Sequence, residues 1–315
     1  LFVWGTEYIP TENLKYGIYA DSTAQQIGFK TGDKILGVGG EKVEKFSDVQ
    51  LKILLEDNKT IQLERGNSQT EIEVGNSTIA KIISEQKTFI QPAVIPIVEE
   101  VNSGSEAEKA GLLKGDRIVE VNGRETAFFQ DVVKELGKNK GQSVSITVSR
   151  NAEQISLTAN VSETGTIGFF NQPVSKQLDF KTEEYGLLES VPAGINKAYG
   201  SFENYIKQIK LIFNPETKAY KSLGGFITIG KAFSPTWDWE RFWNFTAFLS
   251  IILAIMNILP IPALDGGHVM FLIYEIITGR KPHDKVMEYA QIAGIVILLA
   301  LMLLANGNDI IGLFR

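Results

Sequence analysis

The sequence predicts a multidomain α+β membrane protein: two copies of a small β-barrel domain with helices, then an amphipathic helix, then two transmembrane helices. Three observations predict it. Gly28-x-x-x-Gly32-Asp33-x-Ile35-x-x-Val38-x-Gly40 recurs as Gly111-x-x-x-Gly115-Asp116-x-Ile118-x-x-Val121-x-Gly123, at a constant offset of 83. Ile195, Tyr199, Phe202, Ile206, Ile209 and Phe213 recur at alternating spacings of 4 and 3, which places them on one helical stripe. Phe242 to Leu264 and Tyr289 to Ala305 contain no Asp, Glu, Lys or Arg, and a span needs about 20 apolar residues at about 1.5 Å each.

Taken in chain order, Leu1-Phe2-Val3-Trp4-Gly5 lacks an initiator Met and a charged leader, so it does not resemble a signal peptide. Residues 1–5 read as the end of a preceding transmembrane helix with Trp4 at the interface, or as an ordinary buried strand. The first repeat occupies residues 6–80 and the second 81–162. In each, Gly-Asp opens a β-branched strand (Lys34 to Val38; Arg117 to Val121), a Gly turn follows, and a short helix comes next (Phe46 to Leu55; Phe129 to Leu136). Alternating strands close each copy: Thr60 to Glu64 and Thr70 to Val74, then Ser143 to Val148 and Gln154 to Ala159.

Residues 163–241 join the repeats to the apolar end. They hold a Gly/aromatic strand region, Thr166 to Phe170, and a helix from about Ala193 to Phe213, with Pro192 near its start and Pro215 beyond its end. Lys197, Glu203, Lys207 and Lys210 face away from its apolar stripe. The helix suits either the membrane interface or packing against the repeats. Gly224-Gly225 and Pro235 break the chain before Trp237, Trp239 and Trp243, aromatics suited to an interfacial belt. The first span is then 242–264, a loop covers 265–288, the second span is 289–305, and 306–315 is a tail.

A mean hydropathy of +0.01 averages this apolar end with a polar first half. Among 315 residues the net charge of −6 argues against a nucleic-acid partner. With no cysteine, disulfides and thiolate metal sites are excluded, so any metal is held by oxygen or imidazole.

Ala110-Gly111-Leu112-x-x-Gly115-Asp116-Arg117-Ile118-Val119-x-Val121-Asn122-Gly123 resembles the signature of bacterial, circularly permuted PDZ domains. The first copy departs from it, with Gln26-Ile27-Gly28-Phe29 for the usual Ala-Gly-Leu and Gly39 where the second has Asn122. The resemblance implies a groove that adds a peptide to a sheet edge and holds its terminal carboxylate in backbone N–H groups. It puts Phe89-Ile90-Gln91-Pro92 at the second copy's carboxylate loop, making Phe89 and Ile90 candidate peptide contacts. The alternative is that the domains are packed spacers or size filters.

Asp265 ends the first uncharged run. An ionisable group at membrane depth is costly unless something binds it, so it reads as functional by default. Pro260 and Pro262 interrupt helical bonding, so the backbone between Asn257 and Asp265 unwinds. The plainer alternatives are a helix ending at the water surface with Gly266 as cap, and for Asn257 a polar contact between helices.

Asn257-x-x-Pro260-x-Pro262-x-Leu264-Asp265-Gly266-Gly267 resembles the motif of site-2 proteases, intramembrane zinc metalloproteases, and with tandem PDZ domains the match is close to the RseP type. The resemblance implies Zn2+ as cofactor with Asp265 as the third protein ligand, and Asn257 as the residue that hydrogen-bonds the substrate backbone or the transition-state oxygen. Asn257, Pro260 and Pro262 then border the substrate. That family's other ligands and general base lie on a His-Glu-x-x-His helix, which is missing; the only histidines are His268 and His283. His268 is separated from Asp265 by two glycines and is not used by the family, and His283 sits beside Arg280 and Lys281 in a polar stretch. The expectation is a chain without the first two spans of such a protease, holding an incomplete active site.

The function so implied is regulated intramembrane proteolysis in a bacterial inner membrane, with periplasmic PDZ domains acting as a substrate filter. Partners would be single-pass membrane proteins such as anti-sigma factors or remnant signal peptides, peptide C-termini at the PDZ grooves, and membrane lipid. The rival is a non-enzymatic, membrane-anchored PDZ adaptor.

Overall fold

The computed structural model describes residues 2–85, 88–233 and 236–314; Leu1 and Pro235, both singled out above, lie outside them. The chain divides into two compact bodies, Thr6–Thr78 with Lys87–Glu183, and Leu1–Gly5 with Ile79–Gln86 and Glu184–Arg315.

The first body carries both repeats except Ile79–Gln86, which groups with the second. Copy one runs β1 (Thr6–Tyr8), β2 (Ile18–Ala20), α1 (Ser22–Ile27), β3 (Lys34–Val38), β4 (Glu41–Lys42), α2 (Phe46–Leu55), β5 (Thr60–Arg65), β6 (Ser68–Glu73), α3 (Asn76–Glu85) and β7 (Ile90–Pro92). Copy two runs β8 (Val98–Val101), α4 (Glu106–Lys109), β9 (Arg117–Val121), β10 (Arg124–Glu125), α5 (Phe129–Lys138), β11 (Ser143–Arg150), β12 (Glu153–Asn160), β13 (Phe169–Asn171), α6 (Val174–Gln177) and β14 (Lys181–Glu183). Local chemistry starts the short helices: the Asp21 carboxylate accepts from the N–H groups of Thr23 and Ala24, each at 2.8 Å, and Ser105 Oγ accepts from Glu108 N–H.

The offset of 83 is an offset in the core. Ile35, Val38, Val49, Ile61 and Leu63 are buried, and so are Ile118, Val121, Val132, Val144 and Ile146, each pair 83 apart. Four antiparallel strands in the order β4-β3-β5-β6 repeat as β10-β9-β11-β12, and each copy adds a separate two-stranded sheet, β2-β7 or β8-β13. The two sheets of each copy meet at one edge: in copy two through the bridge Ile97↔Arg117, with Val98 N–H donating to Asp116 O and Ile118 N–H to Pro96 O, and in copy one through Ile18 N–H donating to Asp33 O and Gly32 N–H to Ile18 O.

Strand pairing also moves the carboxylate loop. Phe89 O accepts from Asp21 N–H, and β7 pairs with β2 through Ala20↔Ile90 and Ile18↔Pro92, so Phe89-Ile90-Gln91-Pro92 completes copy one, not copy two. In copy two the same place is taken by Gly168 and β13: Gly168 O accepts from Asn102 N–H, and Phe169 lies opposite Val101. The chain crosses to a new copy only after this strand, which residue spacing alone does not reveal.

The second body contains α7 (Leu187–Phe213), α8 (Phe226–Ala232), α9 (Trp239–Ile258), α10 (Asp265–Thr278) and α11 (Asp284–Leu313). α9 and α11 are long and apolar enough to cross a membrane. α7 starts six residues before the expected Ala193, where the Glu189 carboxylate accepts from Gly186 N–H at 3.0 Å and offsets the missing N–H of Pro192 further in. Two expectations are corrected here. The stretch 265–288 is not all loop: its first 14 residues form α10, an apolar run stopped by Gly279 in the left-handed conformation at φ 65°. The tail is helical too, since α11 begins at Asp284 behind the capping His283 side chain and continues through Asn306 and Asp309 to Leu313.

Candidate functional site

α9 stops at Ile258 because Pro260 supplies no N–H and pushes the residue before it into extended backbone; Leu259 sits at φ −59°, ψ 141°. Leu259 to Leu264 then runs outside any helix, turned by Ile261 N–H donating to Leu259 O at 2.7 Å and Leu264 N–H donating to Ile261 O at 2.8 Å. Leu264 is extended at ψ 167°, and Asp265 opens α10, where a carboxylate is favoured by the helix dipole.

Three glycines hold this break tightly. A Cβ at Gly266 would fall 2.4 Å from the carbonyl oxygens of Ile258 and Leu259, and one at Gly267 would fall 2.4 Å from Ile261 O and Pro262 Cα. From α11, a Cβ at Gly294 would lie 2.7 Å from Ala263 N. The loop is therefore clasped between α10 and α11, with backbone against backbone.

The result is an open cleft of about 420 Å³ lined by Asn257, Ile258, Pro260, Asp265, Gly266, Val269 and Met270. Asn257, Pro260 and Asp265, three of the residues singled out in the sequence, come together there with exposed side chains. Among the described residues neither Asn257 nor Asp265 has a side-chain hydrogen bond to protein. Pro262 is not part of the lining; it sits beneath, against Gly267 and Gly294. Val269 and Met270 went unnoticed in the sequence, although each follows a motif residue, Asp265 or Gly266, by four positions and so shares its helix face.

Phe89 and Ile90 lie in the other body and are core residues, 1% and 2% exposed, with the Phe89 ring 6.3 Å from that of Phe29. A peptide could meet only their backbone. Phe170, on β13 of copy two, is 59% exposed.

As a zinc site the arrangement is partial. Catalytic zinc takes three protein ligands and keeps one position for water. Among the described residues no group of three His, Cys, Asp or Glu could hold a metal, and Asp265 offers a single carboxylate to the cleft.

Comparison with known proteins adds a family. The sequence pattern of peptidase family M50 matches residues 24–301. The regulator of sigma E protease of Haemophilus influenzae is 30% identical over 318 residues, covering 94% of this chain and 70% of that protein. A Rickettsia conorii protein provisionally named a zinc metalloprotease is 32% identical, covering 72% of this chain and 66% of that one. The regulator of sigma-E protease RseP of Escherichia coli is 29% identical, covering 69% and 50%. The chain thus spans about half to two thirds of these curated relatives. Among solved structures, the PDZ domain of an SdrC-like protein from Listeria monocytogenes matches at 22% identity and a TM-score of 0.22, over 24% of this chain and 85% of that one; the fold described above rests on strand pairing instead.

Proposed function

The chain belongs to peptidase family M50, the site-2 proteases, and from that premise we propose that it is the part of an intramembrane zinc metalloprotease that presents substrate to the metal. One observation carries this reading: Asn257, Pro260 and Asp265 line a single cleft at a break between apolar helices. Asp265 is one oxygen ligand of a zinc ion whose other protein ligands this chain does not hold. A bound zinc would lower the pKa of its water toward about 7 and polarise a carbonyl.

The chain's own residues do the positioning. Asn257, on the last turn of α9, offers an amide N–H to a substrate carbonyl. Pro260 leaves the neighbouring backbone without a competing donor, and the non-helical, turned stretch from Leu259 to Leu264 leaves room beside it for an unwound substrate. The substrates are single-pass membrane proteins, of the anti-sigma factor or remnant signal peptide kind, and the PDZ pair filters them by their trimmed ectodomains from the periplasmic side of a bacterial inner membrane.

The test is metal analysis of the complete gene product. Wild type should carry close to one zinc per chain and Asp265→Ala far less, with helicity unchanged. Equal zinc in the two proteins would remove Asp265 from the ligand set.

A further inference from the structure

The cleft beside Asp265 has a polar end and an apolar end. Asn257 and Asp265 supply the polar end; Ile258, Pro260, Val269 and Met270 supply the apolar one. We propose that Val269 and Met270 select the substrate side chain two residues from the cut peptide bond, an inference that rests on the protease reading of Asp265.

The geometry comes from α10. Its first residue is Asp265, and helical spacing places Val269 and Met270 four residues on, about 6 Å further along the axis, beneath Asp265 and Gly266. An extended substrate advances about 3.3 Å per residue. A bond held at Asp265 therefore puts over Val269 and Met270 the side chain about two residues along, which in an extended chain points to the same face.

Gly266, between the two ends, contributes no side chain and cannot gain one without striking the carbonyls of Ile258 and Leu259, so the path from polar to apolar end stays open. Val269 and Met270 are 50% and 54% exposed, so neither is consumed by packing inside this chain. Their chemistry divides the task. Val is branched and stiff, setting a wall, whereas Met is unbranched and adapts to what it meets. The ligand class is an apolar side chain of a membrane segment, with its upper size set by residue 269.

The experiment uses the complete protein in detergent with a single-pass Leu/Ala test segment carrying Ala, Leu or Phe two residues from the cleaved bond, product masses locating the cut. Val269→Phe should lower kcat/KM for the Phe substrate relative to the Ala substrate by about tenfold, and Val269→Ala should raise that ratio, the scale expected for one or two methylenes in an apolar pocket. Met270→Ala should flatten the Leu preference. If Val269→Phe does not fold, Val269→Ala decides, since it only removes atoms. Wild-type substrate ratios in active Val269→Ala and Met270→Ala proteins overturn the inference. Failure of the underlying reading looks different: wild type cuts none of the three substrates, or Asp265→Ala retains both zinc and cleavage.

Discussion

A carboxylate with 1% of its side chain exposed needs a full set of donors, and Asp116 has them. Arg150 Nε and Nη2 each reach it at 2.7 Å, Leu113 N–H donates at 2.8 Å, and the same guanidinium also binds Gly111 O at 2.8 Å. Copy one repeats the arrangement with Asp33, Arg65, Lys30 N–H and Gly28 O. The carboxylates hold both guanidiniums above their already high pKa. This explains the Gly-x-x-x-Gly-Asp pattern: the first Gly presents a carbonyl to the arginine and the Asp ties the turn to the hairpin behind it. Asp116→Ala removes the acceptor shared by Arg150 and the Leu113 N–H, so it should destabilise copy two, read as faster amide exchange at Ile118 and Val148. Asp116→Leu with Arg150→Met should recover most of that loss, because apolar replacement of a whole buried pair is often neutral. The sequence made the Gly-Asp turn legible but not its partner. Arg65 lies 32 residues after Asp33 while Arg150 lies 34 after Asp116, so the arginines break the repeat spacing that exposed everything else. Asn257, Pro260 and Asp265 were legible as a site because motif and apolar context coincide in one short stretch; Val269 and Met270 were not, since two apolar residues in an apolar helix carry no signal until a cleft is seen beside them.

Elements whose ends are set by local chemistry were the legible ones. α2 occupies Phe46–Leu55 and β3 occupies Lys34–Val38 as the pattern implies, because alternation and helical periodicity act over a few residues. α10 was missed because Asp-Gly-Gly reads as a turn, while in space those glycines are what lets a helix begin against the loop. Pairings between distant strands were equally hidden. β1 pairs with β14 through Thr6↔Glu183 and Tyr8↔Lys181, joining the two ends of the first body. Around that ribbon Tyr8 Oη donates to Glu44 at 2.9 Å, Lys181 Nζ lies 3.5 Å from the same carboxylate, and Lys45 reaches Glu183 at 2.9 Å. Tyr8, then Lys181, holds the Glu44 carboxyl below its usual range; Tyr8, then Glu44, holds Lys181 above its own. A lowered acid adds stability above its unfolded pKa, about 4.3 for Glu, and loses it as pH falls through the folded value. A raised lysine adds stability below about 10.4 and loses it as pH rises through the folded value. The ribbon should therefore be firmest between those limits. Amide protection at Glu7 and Thr182, corrected for intrinsic exchange, should drop below about pH 4 and less so in Glu44→Gln. The drop should be modest and shrink in salt, because Glu44 is 62% exposed. A profile identical in wild type and Glu44→Gln would remove this clasp from the account.

For the whole chain, organisation was readable because it is written twice and then changes character. The offset of 83 marks a duplicated domain, and two uncharged runs mark a solvent change that the averaged hydropathy conceals. The path through the membrane was not readable, because it turns on α10. At 14 residues, α10 is about 21 Å long, too short to cross a core of roughly 30 Å alone. It either continues the direction of α9, carrying Arg280 and Lys281 across the membrane, or folds back toward the side from which α9 came. Basic residues stand at both ends of the first span, with Lys231 and Arg241 before it and Arg280, Lys281 and Lys285 after α10, so the bias of positive charge toward the cytoplasm does not choose. The protease reading proposed above predicts continuation, with Lys281 cytoplasmic. None of these 315 residues is a cysteine that would compete for a thiol label. Asn67→Cys, in the exposed hairpin turn of copy one, and Lys281→Cys, after α10, should be labelled by a membrane-impermeant maleimide from opposite sides. In intact spheroplasts Asn67→Cys should react and Lys281→Cys only after lysis. Equal reactivity of both before lysis would mean that α10 turns back on α9, leaving Asp265 at a re-entrant tip open to water, where no metal is needed to make its charge tolerable and the cleft loses its claim to be a membrane protease site.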